Sequence, residues 1–112
     1  MKIQAEHRDH QTLMTLRGEL TEDAVDEFRR EALEHLDART HDCVLDMSHV
    51  GFVDSKGLET LLWLQDRCVE NLGQVRLACC PENIRTILKI TRLDESLTVC
   101  PTIDEAIRSL NV

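Results

Sequence analysis

Apolar positions along the chain recur with two periods, and the alternation between them lays out the fold. Ile3 and Ala5, then Leu13, Met14 and Leu16, fall in two short extended runs. The polar stretch over residues 7–11 separates them, so the first two elements read as a β-hairpin. Gly18-Glu19-Leu20-Thr21 closes the second strand. Thr21 is placed to cap a helix, with Glu22 and Asp23 in its first turn, where the helix dipole favours them. Val25, Phe28, Ala32 and Leu36, widened by Leu33, predict a first helix running to about Asp37. Residues 43–47 are mostly apolar and suit a central strand. Residues 48–53 then read as a loop with two apolar anchors.

A second helix is expected to open at Asp54-Ser55-Lys56-Gly57 and to run to about Leu72. Its apolar stripe is Leu58, Leu61, Leu62, Gln65, Cys68, Val69 and Leu72, with Asn71 and Gly73 as stop signals. Residues 75–79 read as a fourth strand. Pro81 fits the first position of a third helix that turns Ile84, Ile87 and Leu88 inward. Residues 97–100 make a short fifth strand. Thr102 and Glu105 match a capping box for a last helix with Ile103, Ala106, Ile107 and Leu110 inward. The order ββαβαβαβα predicts a single α/β domain over residues 1–112. It has a mostly parallel sheet of four to five strands, an antiparallel N-terminal hairpin and about four helices.

Composition narrows the function. Hydrophobic residues make up 42% and charged residues 30%, the balance of a folded globular domain. Aromatics are only 3%, so the core must be aliphatic. No segment approaches the roughly 20 apolar residues of a membrane span, and the N-terminus has no apolar signal region. A cytoplasmic protein is expected. The net charge of −8 argues against nucleic acid and anionic membrane surfaces and favours a partner with a basic patch. The five cysteines are odd in number, and four sit in apolar segments, so they read as buried thiols rather than a disulfide framework.

The most informative spot is Asp54-Ser55-Lys56-Gly57-Leu58. A serine between a loop and a helix start has an everyday role as the helix cap. The same geometry suits a phosphate, because free N–H groups and the helix dipole attract it. Phosphorylation would add roughly −1.5 to −2 charge at an exposed surface, with Asp54 and Glu59 repelling it. Trp63 lies off the buried stripe, on a face shared with Lys56, Glu59, Thr60 and Arg67. It reads either as packing against a neighbouring element or as an interface anchor. Cys79-Cys80 and the histidines His7, His10, His35, His41 and His49 lack C-x-x-C or H-x-x-x-H spacing, so neither a metal site nor a cofactor is expected. Hydrolase and nucleotide-binding motifs are missing as well.

Residues 44–58, V-L-D-M-S-H-V-G-F-V-D-S-K-G-L, resemble the signature of the STAS family, the domain of sulphate transporters and anti-sigma factor antagonists. Gly18-Glu19-Leu20 resembles that family's G-E-L, and the element order matches along essentially the whole chain. The resemblance implies a non-enzymatic anti-sigma factor antagonist, a monomer or weak dimer. In this reading Ser55 is phosphorylated by a partner that is both anti-sigma factor and serine kinase, and a phosphatase resets it. Unphosphorylated antagonist binds the kinase. Asp54 would flank the phosphoacceptor, Gly57 would allow a partner backbone to approach, and Glu19, Thr21, Lys56, Glu59 and Trp63 are interface candidates. The chain departs from the pattern at Thr21, where the family often has a kinase-facing Asp, and at Lys56, where it commonly has a small residue. Two other readings stand beside this one. The first is a STAS subunit of a lipid-transport or stress-signalling complex in which Ser55 is not a phosphosite. The second is a small hydrolase using Ser55 or a cysteine, with His49 as the one close candidate base.

Overall fold

The computed structural model describes residues 1–36 and 42–111. Its elements are β1 (Lys2–Arg8), β2 (Gln11–Leu20), α1 (Glu22–His35), β3 (Asp42–Val53), α2 (Ser55–Glu70), β4 (Val75–Ala78), α3 (Glu82–Ile90), β5 (Thr98–Cys100) and α4 (Ile103–Leu110). A 3-10 turn at Leu93–Glu95, which apolar periodicity does not signal, precedes β5. The strands lie in the order β1-β2-β3-β4-β5. The β1–β2 pair is antiparallel and every other pair is parallel. This is the single α/β domain that the ββαβαβαβα pattern predicts.

Each crossover moves one strand along the sheet in the same direction, and right-handed connections then put their helices on one face. Phe28 and Ala32 of α1, Leu61, Leu64 and Cys68 of α2, and Ile84 and Leu88 of α3 pool in one core with Met14, Leu16, Leu45, Met47 and Leu77 of the strands. On the opposite face α4 sets Ala106 against Val44, Ala78 and Cys100. Thr102 Oγ1 caps α4 by accepting from the Glu105 N–H at 3.1 Å, as the capping-box pattern requires.

The structure corrects several local expectations. Residues 48–53 are not a loop, because β3 continues through them to Val53. The extension stays paired with β2 through register shifts between Thr15 and Arg17 and between Gly18 and Leu20. The Asp46 carboxylate accepts from the Ser48 N–H at 3.0 Å where the strand bulges. Val50 and Val53, both buried, hold it to the core. In α1 the buried line is Ala24, Phe28 and Ala32, while Val25 is half-buried and Leu33 is 46% exposed. Asp37 lies outside the described residues. Helix α2 buries Gly57, Thr60, Leu61, Leu64 and Cys68. Leu58, Leu62 and Gln65 are half-buried, Val69 is exposed and Leu72 is 94% exposed in a left-handed turn. Strand β4 ends at Ala78 because Cys79 turns out of extended backbone, with φ 59°. Pro81 stands just before α3 rather than inside it.

Two substitutions check this packing. Phe28→Ala empties the largest fully buried side chain and should lower unfolding free energy by about 3–5 kcal/mol in urea titrations. Leu72→Ala, at a position the sequence pattern turned inward, should change it by no more than about 0.5 kcal/mol.

Candidate functional site

Strands β2 and β3 are adjacent and parallel, so their C-terminal ends, and the helix starts that follow, lie side by side. The junction is held by one residue. Asp54 donates its backbone N–H to the Leu20 carbonyl at 3.3 Å. Its Oδ1 accepts from the Gly57 N–H at 2.8 Å, capping α2. Its Oδ2 accepts from the Glu22 N–H at 2.9 Å, capping α1. A single carboxylate therefore closes two helix N-termini, and both dipoles favour its charge. The Gly57 N–H, then the Glu22 N–H, holds the carboxyl below its ordinary range.

This arrangement reassigns the capping roles expected from sequence. Thr21 occupies the N-cap position of α1, but its side chain makes no capping bond. Ser55 is the first residue of α2 rather than its cap. It is exposed, and no hydrogen bond to another described residue holds its hydroxyl. Gly57 is buried against the chain itself. A Cβ there would overlap the Leu20 carbonyl oxygen and lie 2.8 Å from Val53 Cγ1. The close approach this glycine permits is that of α2 to the Leu20 backbone of its own chain.

Most of the predicted site residues meet at this edge. Glu19, at the end of β2, is exposed and Thr21 is half-buried. Lys56 and Glu59, both exposed, pair with each other at 3.6 Å. With Glu22 and Asp23 exposed in the first turn of α1, the surface around Ser55 is acidic. Trp63 stands apart, two turns along α2 and about 12 Å from Ser55. It is half-buried, and the guanidinium carbon of Arg29 on α1 lies 5.1 Å from its ring centroid. Trp63 thus packs against α1 with part of its surface left exposed, and Thr60, expected on its outer face, is fully buried. Phe52, 45% exposed two residues before Asp54, joins the edge. Sequence reasoning missed it, because only the β3 bulges carry that side chain outward.

The geometry does not pair Ser55 with its candidate base. His49 is exposed on β3 beside Arg17 and makes no hydrogen bond to Ser55. Burial pushes the Cys68 and Cys80 thiols up to about 11, and Cys43 well above its ordinary value, so they stay protonated near neutrality.

Comparison with known proteins places this geometry. A family model described as the STAS domain matches residues 2–106. A Thermotoga maritima protein described as a candidate anti-sigma factor antagonist superposes with a TM-score of 0.91 at 19% identity, over 98% of this chain and 95% of that one. The Bacillus cell fate determinant SpoIIAA in its phosphorylated form superposes with a TM-score of 0.72 at 20% identity, over 96% and 98%. The murine Solute Carrier 26 family member A9 anion transporter matches at 0.82 and 21% identity, over 95% of this chain but 18% of the transporter. At these identities the likeness is one of fold.

The junction makes two predictions. Gly57→Ala should destabilise the protein by about 1–3 kcal/mol in chemical unfolding, through overpacking against Leu20. Asp54 has a depressed folded pKa, so its stabilising contribution is complete above the ordinary carboxylate range and is lost as pH falls through the folded value. Asp54→Ala should lower Tm at neutral pH and flatten the acid limb of the stability profile. An unaltered acid limb would contradict the clamp.

Proposed function

The chain belongs to the STAS domain family, and we propose that it is an anti-sigma factor antagonist switched by phosphorylation of Ser55. The carrying observation is an exposed hydroxyl at the first position of α2, beside a carboxylate that already satisfies both neighbouring helix ends. A phosphate there adds roughly −1.5 to −2 charge without needing the capping bonds that hold the fold. The α2 dipole tolerates the added charge, and Lys56 can leave Glu59 to meet it.

The unmodified edge, with Glu19, Thr21, Phe52, Asp54, Lys56 and Glu59, is the docking surface for the anti-sigma factor, which is also the serine kinase. A basic patch on that partner matches the acidic edge. Binding releases the sigma factor. Phosphorylation perturbs this contact by charge and bulk at its centre, and a phosphatase restores it. ATP and magnesium belong to the kinase, so the chain is a binder and substrate rather than an enzyme. That the phosphorylated form of SpoIIAA shares this fold supports the reading.

Incubation with candidate anti-sigma factor kinases and ATP, followed by intact mass, tests it. One phosphate is expected, absent in Ser55→Ala, and Ser55→Asp should weaken kinase binding at least tenfold. Phosphate persisting in Ser55→Ala would overturn the assignment. So would capture by a transporter subunit with no phosphorylation by any such kinase.

A further inference from the structure

The fold brings together two histidines that no local spacing connects. His7, near the end of β1, and His35, the last residue of α1, are 28 positions apart, yet His7 Nε2 lies 3.4 Å from His35 Nδ1. Their ring centroids are 5.5 Å apart and the planes are inclined by 41°. Behind His7, the Thr12 Oγ1 lies 3.1 Å from Nδ1. Thr12 is the cross-strand partner of His7 on β2 and is fully buried.

A separation of 3.4 Å between nitrogens is long for a hydrogen bond. It does match the ligand edge of a tetrahedral ion. Two Zn–N bonds of about 2.0–2.1 Å at the tetrahedral angle hold their nitrogens about 3.3–3.4 Å apart. The Thr12 hydroxyl sits where a ligating histidine keeps its outer partner, the group that fixes tautomer and ring orientation. When His7 Nδ1–H donates to Thr12, the Nε2 lone pair faces the space shared with His35. Imidazole nitrogen selects zinc, copper or nickel rather than calcium or magnesium.

We propose that His7 and His35 form a two-imidazole site for a divalent ion of the zinc class, joining the end of α1 to the β1–β2 hairpin. No third His, Cys, Asp or Glu among the described residues completes the set. With two protein ligands among the described residues, the site is open and weaker than a closed structural zinc centre. It lies at the far end of α1 from Asp54, about 20 Å away along the helix, and is independent of the reading of Ser55.

Calorimetric titration of the full chain with zinc chloride, together with imidazole nitrogen NMR, tests the site. One ion per chain is expected, with the His7 and His35 resonances shifting together. His7→Ala and His35→Ala should each weaken binding at least tenfold, and both positions are accessible enough for the fold to survive. Thr12→Val, which removes only the outer partner, should weaken it by about tenfold. His49→Ala should leave it unchanged. Absence of binding, binding that survives His7→Ala, or binding lost only on replacing Cys79, Cys80 or Cys100 would overturn the proposal.

Discussion

One carboxylate, that of Asp54, sets the geometry of the edge that carries Ser55, because it satisfies donors from two helices at once. Parallel β2 and β3 deliver two helix N-termini side by side, each with unpaired N–H groups pointing outward. Separate caps would leave the helices free to tilt independently. A shared cap at 2.8 and 2.9 Å ties α1 and α2 to one point. The Gly57 backbone, pressed against the Leu20 carbonyl, fixes how far α2 can sit from β2. Distance and orientation are thus set by two contacts that use no long side chain.

The proposed function rests on what this clamp leaves over. Ser55 stands one position past the cap, inside the field of the α2 dipole, and is not needed for capping. Its hydroxyl can change chemistry while the hydrogen bonds beneath it stay made. The surrounding exposed acids, Glu19, Glu22, Asp23 and Glu59, bias the surface toward a basic partner. In the proposed function a phosphate is therefore read as charge and bulk on a rigid edge. A remodelled fold is not required.

The element order was legible because each element is amphipathic at its own period, and residue types at the breaks carry local turn and cap signals. The Thr102–Glu105 cap is of this kind, written within four residues. What escaped sequence reasoning depends on partners far along the chain. Residues 48–53 are polar enough to read as a loop, yet they pair with β2 through bulges that only the neighbouring strand specifies. The buried line of α2 passes through Gly57, Leu61, Leu64 and Cys68 instead of Leu58, Leu62 and Val69, since the Gly57–Leu20 approach sets the helix's rotation. Asp54 was legible as a flanking residue of Ser55. Its bond to Glu22, 32 positions away, was not. The pairing of His7 with His35 escaped for the same reason.

The central claim, a clamp that holds while Ser55 changes charge, is tested most directly by amide hydrogen exchange at Glu22 and Gly57, compared between the unmodified and Ser55-phosphorylated chains. Equal protection of both amides in the two forms, with chemical-shift changes confined to the edge around Ser55, is the predicted result. Loss of protection at either amide on phosphorylation would mean that the phosphate breaks the Asp54 bonds and acts by reshaping the helices, contradicting the account.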